Sequence, residues 1–274
     1  MTIDSILVLG GTGKTGRRLV ARLRSQGVTA IPASRSGERG FDWADEPTWA
    51  TALSGVDAVY LVDDGSADPA VTLAPFVELA VASGARRHVL LSARGLETPD
   101  APLPAEAALR ASDAEWTILR PTWFAQNFSE DLFLDSMLAG ELALSTGEGP
   151  DPFIDAEDIA AVAAAVLTQD GHGGEVYELS GPRLMSFGDA AQEVARATGR
   201  SIAFRPVSRE ECVERMVASG ADPGAAAFAA DVFDGIRAGR NAYLSDGVQR
   251  VLKREPRDFA EYARDAAATG VWRP

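Results

Sequence analysis

Cysteine occurs once in the 274 residues, at Cys212, so no disulfide can form within the chain. Histidine is nearly as scarce. His88 and His172 lie far apart with no metal-ligand spacing around either, which excludes a structural zinc site and leaves no metal expected. Long apolar runs are missing too: the longest, residues 159–167, is too short to span a bilayer. The amino-terminal residues lack the basic segment and apolar core of an export signal, so a cytoplasmic protein with no membrane association is expected. Positive charge is in deficit, with 26 Lys and Arg against 40 Asp and Glu for a net charge of −14. That is the wrong sign for gripping a nucleic-acid backbone or anionic lipid, so no nucleic-acid partner is expected. What is present, 46% hydrophobic and 24% charged residues, suits a folded globular chain rather than a disordered one.

The first half alternates short apolar runs with amphipathic stretches. That pattern predicts an α/β fold with a doubly wound parallel sheet. The expected strands are Ile6–Leu9, Val28–Ala33, Ala58–Val62, His88–Leu91 and Thr117–Leu119, each mostly apolar because a sheet covered on both faces buries both sides of its strands. Pro47 and Pro69 stand where helices would start, and Gly27, Gly55 and Gly84 where left-handed helix ends would fall. After Pro121 comes an amphipathic stretch, Phe124–Leu138, and then Gly- and Pro-rich sequence from Gly140 to Pro152. A boundary is expected there, giving a domain of residues 1–139 and a smaller α/β lobe of 140–274. The second part reads as a helix Ala156–Leu167, a strand Val176–Leu179, a helix Phe187–Thr198, a strand Ile202–Val207 and Ala-rich helices. Its strands either extend the main sheet or form a lobe of their own.

Gly10, Gly11, Thr12, Gly13, Lys14, Thr15 and Gly16 join the first strand to an amphipathic helix, and glycines 11, 13 and 16 satisfy G-x-G-x-x-G. A turn without Cβ atoms lets backbone approach a pyrophosphate, and the helix N-terminus offers N–H donors and the positive end of its dipole. The run therefore predicts a dinucleotide site. Gly13-Lys14-Thr15 also looks like the end of an ATPase phosphate loop, but the glycine needed five positions before the Gly-Lys pair is Val8. At the end of the second strand, Ser34, Arg35 and Ser36 occupy the place of the acidic residue that would accept from an NAD ribose. An arginine there attracts a 2′-phosphate, so NADP(H) is the expected cofactor. Asp42 and Trp43 follow and are candidates to meet the adenine, although Trp43 reads equally as core.

These residues, with Val89-Leu-Leu-Ser92, residues 116–124 (WTILRPTWF) and residues 153–160 (FIDAEDIA), resemble the NmrA-like atypical short-chain dehydrogenase/reductases. The loop and Arg120-Pro-Thr-Trp-Phe124 look most like the festuclavine and agroclavine dehydrogenase group and its bacterial relatives. The resemblance implies a Rossmann-type domain with a small carboxyl-terminal substrate lobe, NADP(H), and a cleft closed by the segment after Arg120-Pro121.

Classical members of that superfamily protonate a carbonyl oxygen with a tyrosine four residues before a lysine. Here Tyr60, Tyr177, Tyr243 and Tyr262 are followed at that distance by Asp64, Gly181, Gly247 and Ala266. The two lysines, Lys14 and Lys253, lie elsewhere, and Glu106 is the ionisable group nearest the expected catalytic helix. Without a phenol, an iminium, a conjugated C=C or a quinone-like acceptor is a more suitable hydride acceptor than a ketone, whose nascent alkoxide needs stabilisation. Candidate catalytic residues are Ser92, after the strand His88–Leu91, and Asp63 and Asp64, after Ala58–Val62, since ligands collect at the carboxyl edge of such sheets. Thr122, Trp123, Phe124, Asn127 and Phe128 are candidates to line a site for a planar small-molecule substrate, or equally a buried helical stripe. Asp155 and Asp158 read as helix caps. The expected function is an NADPH-dependent reductase; the alternatives are a non-catalytic NADP(H) sensor of NmrA type or an epimerase that recycles its cofactor. No feature specifies an oligomeric state.

Overall fold

The computed structural model describes residues 3–35, 37, 39–63, 68–96 and 103–273. In chain order its elements begin with β1 (Ser5–Leu9), α1 (Lys14–Ser25), β2 (Thr29–Ser34), β3 (Arg39–Gly40), α2 (Pro47–Leu53), β4 (Ala58–Val62) and α3 (Leu73–Ala82). Next come β5 (Arg87–Leu91), α4 (Pro104–Arg110), β6 (Glu115–Pro121), a 3-10 turn (Ala125–Phe128), α5 (Leu134–Ala139) and β7 (Glu141–Leu144). The remainder is α6 (Ala156–Thr168), β8 (Glu175–Leu179), α7 (Phe187–Thr198), β9 (Ala203–Pro206), α8 (Arg209–Ala218), α9 (Pro223–Arg237), α10 (Gly247–Leu252) and α11 (Phe259–Thr269). Among the described residues no helix is long and apolar enough to cross a membrane.

Two compact units divide the chain. The first comprises Met1–Pro121, Ala156–Leu179 and Asp246–Glu255; the second comprises Thr122–Asp155, Ser180–Ser245 and Pro256–Pro274. A single boundary between residues 139 and 140 would fall inside the second unit. The segments interleave because the sheet of the first unit recruits β8, and α6 and α10 pack with β8 and α1 in that unit.

The first unit holds a seven-stranded parallel sheet in the order β3-β2-β1-β4-β5-β6-β8. β1 pairs with β2 on one side and β4 on the other, with Leu7 opposite Ile31 and Val59. The winding direction reverses between β1 and β4, which makes their carboxyl ends the topological switch point of a Rossmann-type fold. Ile6, Leu7, Val8 and Leu9 are all buried, as a strand covered by helices on both faces requires. α1 buries Leu19, Val20 and Leu23 while its arginines project elsewhere. α6 is buried along nearly its whole length, and its run of alanines permits close approach to β4, β5, β6 and α1. Pro47 does open α2, whereas Pro69 sits in a turn ahead of α3, its carbonyl accepting from the Ala74 N–H. Phe41, Trp43, Trp49 and Phe76 form an edge-to-face cluster with centroids 4.9–6.1 Å apart in the core of this unit.

The second unit has its own small parallel pair, β7 with β9, Leu142 opposite Phe204. β7 lies in the stretch that reads as a Gly- and Pro-rich transition. Four residues alternating half-buried and buried are too short a signal alone, and β9 supplies their ladder from sixty residues away. The expected long amphipathic segment after Pro121 is broken into the 3-10 turn and the short α5, because Phe128, Phe133 and Met137 all turn into one aromatic core with Phe153, Phe187 and Phe259.

Candidate cofactor and active site

β1 ends at Leu9, and the chain turns at Gly10 with φ +61°, a left-handed conformation that glycine adopts without strain. The turn closes when the Gly13 N–H donates to the Gly10 carbonyl at 2.8 Å, and α1 begins as the Arg17 N–H donates to the Gly13 carbonyl. Any Cβ at Gly16 would stand 2.1 Å from the Gly10 oxygen, and one at Gly11 would stand 2.6 Å from Pro32 of β2. These two glycines let the loop lie directly on β2 and the helix directly on the loop. Thr12 and Gly13 are exposed at the tip, and Gly13 caps α1 with no side-chain hydrogen bond. The first-turn N–H groups are thus left without a capping side chain, an arrangement open to an anion. Thr15 is buried, its Oγ1 accepting from the Tyr60 hydroxyl at 3.2 Å. A pyrophosphate fits this cradle, with Gly10, Gly11, Thr12, Gly13, Lys14, Thr15 and Gly16 forming the loop that would hold it.

At the end of β2 the Ser34 hydroxyl is buried without a hydrogen-bond partner, and Arg35 beside it is exposed. An orphan donor next to an available guanidinium fits a phosphate on the ribose. Ser36 lies outside the described residues. Asp42 and Trp43 have other tasks. The Asp42 carboxylate accepts from the Ala44 N–H and its carbonyl accepts from Trp49 Nε1, which ties the turn into α2. Trp43 is core rather than an adenine platform: it sits in the aromatic cluster, and its indole N–H is spent on the Val62 carbonyl at 3.1 Å.

Asp63 follows β4 at the switch point and is half-buried; Asp64 lies outside the described residues. One strand further along, Ser92 follows β5, its N–H donating to the Leu119 carbonyl. Its hydroxyl donates to Glu106 Oε1 at 2.6 Å. Glu106 projects from α4, is fully buried, and receives a two-pronged contact from Arg120 of β6, Nε to Oε1 at 2.7 Å and Nη2 to Oε2 at 2.5 Å. Burial alone would raise the Glu106 carboxyl, but the Arg120 guanidinium and the Ser92 hydroxyl, aided by Arg110, hold it below the ordinary range. It is a carboxylate at neutral pH. Arg94 is buried nearby in sequence, its N–H donating to the Pro121 carbonyl. Glu106 was legible as the ionisable group nearest the expected catalytic helix and Arg120 as part of the Arg-Pro-Thr-Trp-Phe run, but their pairing was not.

The tyrosines are placed far from a classical dyad. Burial pushes the Tyr60 phenol well up, and its proton goes to Thr15 under the loop. Tyr177 meets His172 Nδ1 at 2.8 Å, and Tyr262 donates to Ser129 at 2.7 Å in the core of the second unit. Tyr243 is exposed in a loop of that unit.

In the second unit, Thr122 is buried with its hydroxyl donated to the Pro152 carbonyl, and Phe128 is fully buried among Phe133, Phe153, Phe187 and Phe259. Both are scaffold rather than substrate contacts. Trp123 stacks on Phe133 and meets Phe187 and Phe233 edge-on or tilted, yet stays half-buried. Phe124, bridged to Ile154, and Asn127 are half-buried as well. The Asp155 carboxylate accepts from Gln126 and Arg257, and Asp158 from Arg254, all within 2.7 Å, so both buried carboxylates are spent on ion pairs with partly exposed arginines.

A model of NAD(P)H-binding proteins matches residues 10–170, well over half of the chain, starting at the first glycine of the loop. The chain belongs to the NAD(P)H-binding family. Within it, oxidoreductase YesF of Bacillus subtilis (strain 168) is 33% identical over 285 residues, covering 99% of each protein. Festuclavine synthase I of Penicillium roqueforti (strain FM164) is 32% identical over 280 residues, covering 94% of this chain and 97% of that one. The resemblance to the festuclavine dehydrogenase group and its bacterial relatives read from the motifs is therefore borne out along the chain. The fold is shared with the triphenylmethane reductase of Citrobacter sp. complexed with NADP(H), at a TM-score of 0.74 and 22% identity over 96% of this chain and 99% of that one.

Proposed function

We propose that the protein is an NADPH-dependent reductase acting on a planar small molecule, an iminium, a conjugated C=C or a quinone-like acceptor. The observation that carries this reading is the carboxyl edge of the sheet. The phosphate loop follows β1 at that edge, Ser92 follows β5 with its proton already given to a carboxylate, and no tyrosine precedes a lysine by four residues. Bound nicotinamide supplies the hydride. The chain binds the cofactor's phosphates through the loop of residues 10–16, and Ser34 and Arg35 select the phosphorylated ribose. Acceptors that develop no alkoxide need no strong proton donor, so positioning provides most of the rate. Asp63 and Asp64 favour a cationic acceptor. A triphenylmethane reductase complexed with NADP(H) among the similar proteins is by name a reductase, which agrees with the reaction type.

The test is a titration of the protein's effect on NADPH and NADH fluorescence, followed by absorbance assays of NADPH oxidation with imines, enones, quinones and simple ketones. Tighter binding of NADPH and oxidation by the first three classes are expected. Turnover of ketones alone would overturn the substrate class. Binding with no oxidation would identify a dinucleotide sensor, and isomerised product without NADPH loss would identify an epimerase.

A further inference from the structure

The hydroxyl of Ser92 has one proton, and it points at Glu106 Oε1 from 2.6 Å. A carboxylate has no proton to give, so at this contact Ser92 can only donate. Both oxygens of Glu106 are in turn occupied by Arg120, and Arg110 stands 3.7 Å from Oε2. The orientation of the hydroxyl is thus set three residues deep by a buried ion pair, while Ser92 itself remains half-buried at the carboxyl edge of β5. With its proton committed inward, the side Ser92 turns outward carries only lone pairs.

We propose that Glu106 and Arg120 are positioning residues that make Ser92 a hydrogen-bond acceptor for its ligand, so that Ser92 recognises an O–H or N–H donor and does not polarise a carbonyl. The inference rests on the reductase reading above and sharpens it at one atom. Two donors meet the requirement, a ribose hydroxyl of the cofactor or an N–H of the acceptor substrate. They are separable. A ribose hydroxyl would make Ser92 matter for NADPH affinity and equally for every acceptor. A substrate N–H would make it matter for one acceptor over another, with NADPH affinity intact.

The experiment compares wild type, Ser92→Ala, Ser92→Thr, Glu106→Gln and the double variant Glu106→Met/Arg120→Met. Replacing the buried pair by apolar side chains of similar volume avoids leaving one charge orphaned, and a melting curve verifies folding of each protein. Two quantities are read: the NADPH dissociation constant by fluorescence, and the ratio of kcat/KM for a protonated cyclic imine to that for its N-methyl counterpart. Ser92→Ala should weaken NADPH, or else erase the preference for the N–H imine, by about tenfold, the scale of one hydrogen bond to a charged or polar donor. Ser92→Thr should restore whichever was lost. Glu106→Gln keeps an acceptor at the Oε1 position but turns an NH2 toward Arg120 Nη2 and removes its counter-charge, so it should fall between wild type and Ser92→Ala. Glu106→Met/Arg120→Met should behave like Ser92→Ala although the serine is still present. A folded double variant with both quantities unchanged would overturn the inference, as would Ser92→Ala matching wild type in both. If no acceptor oxidises NADPH, the reductase reading fails, and the NADPH dissociation constants still decide whether Ser92 accepts from the ribose.

Discussion

His88 offers a sharp test of the sheet in the first unit. It lies on β5 between Val59 of β4 and Trp116 of β6, is fully buried, and has no hydrogen-bond partner at either ring nitrogen. Burial lowers its pKa from 6.5 to about 4. The sign follows from linkage. The unfolded chain takes up a proton near pH 6.5 and the folded chain only near pH 4, so the stability present above pH 6.5 is lost as pH falls through that window. Between pH 8 and pH 5 the loss amounts to about 2 kcal/mol, since one pKa unit is worth about 1.4 kcal/mol and the window is only partly crossed. His88→Leu keeps the volume roughly constant and removes the titrating group. The wild type should therefore lose about 2 kcal/mol more than the variant over that pH range, or roughly 4 to 8 °C in melting midpoint. Every other titrating group, including His172, is common to both proteins and cancels in the difference. Circular dichroism melts of the two proteins at pH 8, 6.5 and 5 make the comparison. Parallel pH profiles would refute the reasoning, because they would mean that His88 is solvated or hydrogen-bonded when folded.

Other perturbations report on the cofactor site. Arg35→Asp replaces attraction by repulsion at the 2′-phosphate, so NADPH affinity should fall about 10- to 100-fold while NADH binding scarcely changes, measured by fluorescence titration. Gly16→Ala forces a methyl within 2.1 Å of the Gly10 carbonyl. It should cost about 1–3 kcal/mol in a denaturant titration and weaken both dinucleotides, and an unaltered affinity would mean that the loop is not the binding element. Tyr60→Phe removes the hydrogen bond to Thr15 and should cost about 1 kcal/mol of stability. Its pH profile of turnover should match wild type, whereas abolished turnover with intact NADPH binding would make Tyr60 the proton donor. Trp43→Phe deletes the indole N–H bonded to Val62 and should lower the melting midpoint while leaving NADPH affinity unchanged, as befits a core residue.

The strands of the first unit and the loop from Gly10 to Gly16 could be read directly because neighbouring residues specify them. An apolar run followed by glycines at fixed spacing and an amphipathic helix admits few other arrangements, and the boundaries of β4 and α7 agree with the reading to the residue. Ser34 and Arg35 were equally visible as residues at the end of β2, since their place follows from the strand alone. The two-residue β3 and the four-residue β7 escaped because strands so short owe their existence to a partner strand.

Residue types and their spacing thus determine the class of fold, the anion cradle and the missing tyrosine-lysine pair, all properties of contiguous or regularly spaced sequence. Packing alone decides how the chain divides, since β8 joins β6 from beyond the whole segment 122–155 that builds the second unit. It also decides that Trp43 and Phe128 are core, because burial depends on what covers a side chain rather than on its own hydrophobicity. Ser92, Glu106 and Arg120 become one cluster only when α4 folds back beside the parallel neighbours β5 and β6, which turns three separate positions into a hydroxyl held by a buried carboxylate.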